Sequence, residues 1–231
     1  MMTFACVLNP SKDFDARYVH NLARGLAKYA PQPHQLICLT NEQIRGVACV
    51  PVDSKLPGWW AKMALLDIQG PMIYLDLDTI ILGDLAPLVE FVEQANNPCM
   101  LQMLGAKKER FECGILGWSE KAWRWWIKQL GPAFARECMR FVPGGSRDQQ
   151  AMEDYRGNRW NNDEDWLRAK IVQEKITVER LQDWVSGIYS YRMHALKAPP
   201  PDARIVCFHG EPRPRDVVET ERDSWVAGEW S

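Results

Sequence analysis

Met72-Ile73-Tyr74-Leu75-Asp76-Leu77-Asp78-Thr79-Ile80-Ile81-Leu82 is an apolar, β-branched run broken by two aspartates with a single residue between them. Its flanks read as buried strand. Burying a carboxylate without a partner costs several kcal/mol, so a central strand does not carry two of them idly. At the C-terminal edge of a sheet, both acids can converge on a hard cation through oxygen ligands. Such an ion can bridge a diphosphate and stabilise the charge that grows on it as it leaves. The plainer alternative is two strands joined by a Leu-Asp turn, with both acids in water.

Upstream of this run, short apolar stretches alternate with helical patterns. Phe4 to Leu8 reads as a buried strand, and Tyr18, Val19, Leu22, Ala23 and Leu26 recur at helical spacing. Gln35 to Leu39 and Val47 to Val52 are two further strands. Trp59 to Ile68 is predicted as a helix, opened by Pro57-Gly58 and closed by Gly70-Pro71. Downstream, Leu85 to Val92 is helical, and Met100 to Leu104 and Gly114 to Trp118 are strands. This alternation predicts an α/β sheet with helices on its faces. Ser119 then caps a helix whose inner stripe is Trp123, Trp126, Ile127 and Leu130, which reads as core. The later half is less regular: a Pro143-Gly144-Gly145 break, a helix from about Arg147, and a last strand from Arg204 to Phe208. With no internal repeat and no long linker, 231 residues read as a single domain.

The charge balance narrows the partners. A net charge of −2 offers no global field toward nucleic acid or an anionic membrane. The local basic cluster that could hold a polyanion is Arg213 with Arg215. No window approaches the roughly 18 apolar residues of a membrane span, and the N-terminus lacks the pattern of a signal peptide. The seven cysteines are scattered, without zinc-ligand or redox spacing. They read as buried reduced thiols, which predicts a cytoplasmic protein. The 11 tryptophans suit sugar faces, although most tryptophans pack in cores.

A second motif is Val206-Cys207-Phe208-His209-Gly210-Glu211-Pro212-Arg213-Pro214. A strand delivers His209 to its end, and Gly210 allows a sharp turn. The imidazole can ligate a metal, and the Arg213 fork can grip phosphate. An incidental histidine on a surface loop is the plain alternative.

Taken together, these residues resemble glycosyltransferase family 8 and the related bacterial and phage transferases of GT-A fold, glycogenin included. The matching order is Asp-x-Asp at a mid-chain strand end, then Asp-Gln, then a late His-Gly with a basic residue and proline. Phe14-Asp15-Ala16-Arg17-Tyr18-Val19 after the first strand and Gly58-Trp59-Trp60-Ala61-Lys62 before the aspartates also match. The resemblance runs from residue 4 to about residue 216 and implies a Rossmann-like mixed sheet flanked by helices. Residues 1–118 would form the nucleotide-binding half, and 119–231 the acceptor and closing half.

The resemblance also implies roles. Asp78 and His209 bind manganese (or magnesium), and Asp76 touches both ribose and metal. Arg213 contacts the diphosphate where lysine is usual, Lys62 lies near the donor, and Leu8 and Asn9 cradle the base. Asp148 and Gln149 correspond to the Asp-Gln pair near the reactive face of the transferred sugar. Ser146-Arg147-Asp148-Gln149 is equally a capping box. Glu112-Cys113-Gly114 stands where such enzymes often carry Asn-Ala-Gly. The implied activity is transfer of a sugar from a nucleotide-sugar donor, a UDP-sugar, to an acceptor hydroxyl with retention.

Other readings of the same residues stand beside this one. Asp76-Leu77-Asp78-Thr79-Ile80 can be read as the nucleophile loop of a haloacid-dehalogenase-type phosphohydrolase, with Asp76 attacking phosphorus. A non-catalytic nucleotide-sugar-binding module is a third. Lys62 reads equally as a solvated lysine on an amphipathic helix, and Asp163 to Asp165 as a solvated helix start.

Overall fold

The computed structural model of the chain describes residues 1–9, 13–52, 58–103, 110–126, 130, 163–221 and 224–230. Strands run in chain order as β1 (Met2–Val7), β2 (His34–Leu39), β3 (Ala48–Val50), β4 (Met72–Leu75) and β5 (Thr79–Ile81). They continue as β6 (Cys99–Gln102), β7 (Phe111–Trp118), β8 (Glu179–Arg180), β9 (Ile188–Ser190) and β10 (Ile205–Cys207). Seven of them form the main sheet in the order β3-β2-β1-β4-β7-β6-β8, and β5-β10-β9 form a second, smaller sheet.

The order of pairing creates the site. From β1 the chain steps outward to β2 and β3, all parallel, then crosses back to place β4 on the other side of β1, also parallel. The strand order therefore reverses between β1 and β4, and a crevice opens beyond their C-terminal ends. Leu8 and Asn9 leave β1 on one side of it, and Asp76 leaves β4 on the other. β7 runs antiparallel to both β4 and β6, so its beginning, Phe111 to Cys113, returns to the same end of the sheet.

Alternation along the strands divides the core into two faces. Phe4, Cys6, Leu8, Ile73 and Leu75 point toward helices α1 (Ala16–Tyr29) and α2 (Ala86–Gln94). Ala5, Leu39, Met72 and Tyr74 point toward a tryptophan-rich cluster of Trp60, Trp118, Trp126 and Trp166. These tryptophans are interior packing. Helix α1 begins where the Asp15 carboxylate accepts the Arg17 N–H at 2.9 Å, an N-cap that satisfies one of the orphan amides of the first turn. Gly25 lets this helix lie against β5, because a Cβ there would stand 2.9 Å from that of Ile81.

Several elements differ from the sequence expectation. Residues Gly58–Asp67 form a 3-10 helix rather than an α-helix. Three residues per turn align Trp60, Met63 and Leu66 in one buried row. β7 extends three residues further toward the N-terminus than its apolar core suggested. The two-residue β8 and three-residue β9 carry too short a pattern to be read. β5 joins the chain's later strands in the second sheet, so segments on both sides of residue 118 share it. Of the cysteines, Cys6, Cys38, Cys99, Cys113 and Cys207 are buried, Cys49 is half-buried, and all six are free thiols. Cys138 lies outside the described residues. No described helix is long and apolar enough to cross a membrane.

Candidate functional site

Asp76 follows β4 directly, with its N–H donating to the Gly114 carbonyl at 2.9 Å. The Tyr74 hydroxyl donates to its carboxylate, and the Lys62 ammonium pairs with the same oxygen at 3.0 Å. Lys62 also reaches Asp163 at 3.3 Å and donates to the Cys113 carbonyl at 3.3 Å. It stands over the Tyr74 ring, 5.0 Å from its centroid. Burial alone would drive this ammonium toward losing its proton. The Asp163 and Asp76 carboxylates outweigh that and hold its pKa well above the ordinary lysine value. Burial, reinforced by the Asp76 charge, likewise pushes the Tyr74 phenol well up, so it stays a donor. Lys62 is therefore a buried cross-link, not a solvated surface lysine.

The acidic run at Asp163 is the clearest correction to the sequence reading. Asp163 opens the helix Asp163–Gln173 but is only 4% exposed. Glu164 accepts the Cys113 N–H at 3.2 Å and pairs with Arg168 at 3.1 Å, and Arg168 also pairs with Asp165. An acidic first turn is stabilised by the helix dipole whether wet or buried, so its composition alone does not reveal that this one forms a wall of the site.

Asp78 lies at the entrance to the second sheet and is 5% exposed. Its carboxylate pairs with the Arg213 guanidinium, which also lies over the Phe14 ring at 4.5 Å. Burial, then the nearby Asp76 charge, push the Asp78 carboxyl up to about 7, against the pull of Arg213. The alternative of two water-facing acids on a turn is thereby overturned for Asp78, while Asp76 remains about one-third exposed at its side chain. Arg213 is held by its own N–H, which donates to Asp216 at 2.8 Å, ahead of the helix Pro214–Thr220.

His209 is brought in by β10. Cys207 pairs with Thr79, and one residue on, the Phe208 N–H donates to the Asp78 carbonyl at 3.1 Å. The His209 Nδ1 lies 3.6 Å from the Glu112 carboxylate, while its buried Nε2 has no hydrogen-bond partner. Burial lowers its pKa, Asp76 opposes that, and Arg192 adds to it. Burial thus favours the neutral imidazole, the form that can ligate a metal. Gly210 adopts φ +79°, the left-handed turn that its place after His209 requires, and Arg192 approaches it closely.

Leu8 is buried and Asn9 exposed at the mouth of the crevice, where the Leu8 N–H donates to Leu39 at 3.0 Å. Asp148, Gln149 and the side chain of Trp59 lie outside the described residues. The sequence reading missed Asp163, Arg192 and the part played by Glu112. The visible signal for Glu112 was an acid inside an apolar strand. Arg192 had none, since it lies on a one-turn π-helix, Tyr191–Ala195, a type often found at functional sites.

Two carboxylates and a neutral imidazole are suitable donors for manganese or magnesium. The unsatisfied Nε2 of His209 is an atom such an ion would engage. Among the described residues, however, no three His, Cys, Asp or Glu side chains gather as a ligand set; Asp76 faces Lys62 and Asp78 faces Arg213. On the expectation from the sequence that Arg213 contacts a nucleoside diphosphate, replacing it by alanine should weaken binding of uridine diphosphate by about ten- to a hundredfold, the worth of a charged hydrogen-bonding pair, and of uridine far less. Arg213→Lys should recover much of the loss. Equal losses for nucleoside and diphosphate in calorimetry would mean that Arg213 serves only the fold.

The fold is that of GT-A glycosyltransferases. The galactosyltransferase LgtC, solved with donor and acceptor sugar analogues, superposes with a TM-score of 0.58 at 15% identity, over 99% of this chain and 93% of LgtC. The bifunctional glycosyltransferase WbbM gives 0.58 at 11% identity, over 99% of this chain and 50% of that one. GlyE of Streptococcus pneumoniae TIGR4, also a glycosyltransferase, gives 0.50 at 15% identity, and the chain spans 61% of it. No protein-family model matches the sequence, and no curated protein does either.

Proposed function

We propose that the chain is a nucleotide-sugar-dependent glycosyltransferase, with residues 1–231 acting as one transferase domain. The observation that carries this reading is the placement of Asp76 and Asp78 beyond β4, at the strand-order reversal, facing Lys62 and Arg213. The donor is a UDP-sugar and the product keeps the anomeric configuration.

In this reading Leu8 and Asn9 receive the base. Arg213 and Arg192 set positive charge where the leaving diphosphate becomes more anionic. Lys62 fixes the Asp76 carboxylate toward the ribose and ties it to Asp163 on the opposite wall. Asp148 and Gln149 would serve the transferred sugar, as the family resemblance implies. Asp76, Asp78 and His209 would be the residues to hold a manganese or magnesium ion, which would supply Lewis acidity to the diphosphate. No buried general base is needed if the leaving phosphate accepts the acceptor's proton on the front face. Residues 1–118 then hold the nucleotide, and 119–231 close over it and receive the acceptor.

Incubation of the protein with manganese and a panel of UDP-sugars, without acceptor, tests the reading. Slow release of free sugar and intact uridine diphosphate is expected, because water can stand in for the acceptor. His209→Ala should reduce that release by about a hundredfold while leaving the far-ultraviolet spectrum unchanged. Inorganic phosphate released from simple phosphomonoesters, undiminished in His209→Ala, would assign the aspartates to phosphohydrolase chemistry instead.

A further inference from the structure

The β8 edge of the main sheet carries a feature that the donor crevice does not use. Trp184 is 66% exposed, although large aromatic side chains usually find cover. One face lies flat on Phe91, with ring centroids 5.4 Å apart and an interplanar angle of 16°. The backbone N–H of Trp184 closes the 3-10 turn Leu181–Asp183 by donating to the Leu181 carbonyl at 3.1 Å. The ring is thus backed by Phe91 on one face and open on the other.

Polar groups rim this plate. Arg180 donates to Asp183 at 2.7 Å and to the Gln102 side chain at 2.7 Å. Gln102 and Gln182 exchange two hydrogen bonds, at 3.0 and 2.6 Å, which fix the floor. Trp184, Arg180, Asp183, Glu179, Gln102 and Phe111 line a groove of about 230 Å³. Among the six, Phe111 comes directly before Glu112, the partner of His209. The groove thus opens at the same end of the sheet as Asp76, three strand spacings away, which is about 14 Å.

We infer that this groove is a carbohydrate subsite, holding an outer sugar ring of an oligosaccharide acceptor with Trp184 as its stacking platform. A pyranose offers an apolar C–H face to an aromatic plane and hydroxyls at its edge to planar carboxylate, guanidinium and amide groups. This groove provides both, already oriented. Nucleic acid does not suit it, because Glu179 and Asp183 place negative charge on the rim. A stable protein partner would need on the order of 1,000 Å² of buried surface, far beyond one tryptophan and its rim. The position relative to the donor rests on the glycosyltransferase reading: a ring bound here belongs to an acceptor long enough to span from β8 to Asp76, so a monosaccharide would not use it.

The test is ligand-observed saturation-transfer NMR on the full chain with cellohexaose, maltohexaose, chitohexaose and glucose. The wild type, Trp184→Ala and Trp184→Phe are compared, and circular dichroism checks the fold of each. At least one hexasaccharide should bind the wild type about tenfold more tightly than Trp184→Ala, with Trp184→Phe in between and no signal from glucose. If no hexasaccharide distinguishes the wild type from Trp184→Ala, the subsite is overturned. A parallel titration of wild type with uridine diphosphate and manganese separates the two proposals. Failure there removes the transferase reading, whereas the tryptophan-dependent oligosaccharide signal stands or falls by itself.

Discussion

If Asp78 ligates manganese as proposed, Asp78→Asn is expected to lower manganese-dependent affinity for uridine diphosphate by about a hundredfold or more, because a neutral amide would replace an anionic ligand. The same substitution should make the protein melt higher than the wild type above neutral pH when no divalent ion is present. The sign follows from linkage. The folded-state pKa of Asp78 is raised from 3.8 to about 7, by burial first and by Asp76 second. The folded state therefore holds this proton more tightly than the unfolded chain, and stability falls as pH rises through that interval. Asparagine cannot ionise and escapes the fall, while its amide oxygen still accepts from Arg213. The advantage should grow between about pH 4 and about pH 8. Melting curves across that range, with a chelator, measure the second effect; calorimetry with manganese or chelator measures the first. Equal diphosphate affinity of the two proteins in manganese would remove the metal from the account. Higher stability with lost binding is the pattern of a site whose strain is kept for function.

The other large effect should come from Lys62. Its ammonium is buried between Asp76 and Asp163, and Asp163 is itself buried. Lys62→Met leaves that second carboxylate in an apolar wall without its cation, which costs about 3–5 kcal/mol. For a chain of this length the melting temperature should fall on the order of 10 °C. Pairing the change with Asp163→Asn removes the stranded charge and should restore most of the loss. Donor hydrolysis should not return with it, because Asp76 is still released from its anchor, and misplacing a positioned group by about 1 Å can cost on the order of a hundredfold in rate. The two readouts separate a positioning role from a merely structural one. If the single and double variants melt together, Asp163 does not depend on Lys62. If the double variant regains full hydrolysis, Lys62 does not position Asp76.

The sequence alone determined those features whose cause is local. A run of β-branched residues interrupted at 76 and 78 must leave its strand there, because two carboxylates cannot stay inside a sheet. Asp15 caps α1 because its side chain reaches an amide two residues away. Gly210 turns the chain because it alone lacks the Cβ that opposes a positive φ. In each case the residues that decide lie within one turn of one another. Only the tertiary structure decided which charge meets which. Lys62 and Asp163 are about a hundred residues apart, as are Glu112 and His209, and Asp78 and Arg213 are farther apart still; no local pattern says that they will touch. Asp163 looks like any acidic helix start until the 3-10 segment carries Lys62 beneath it. The same holds for the split into two sheets. β4 and β5 look continuous in sequence, yet β4 pairs with β1 and β7, and β5 pairs with β10, a strand more than a hundred residues downstream. Hydrogen-bonding partners for a strand are settled by packing across the whole chain, and that division is what leaves Asp76 and Asp78 together at the crevice.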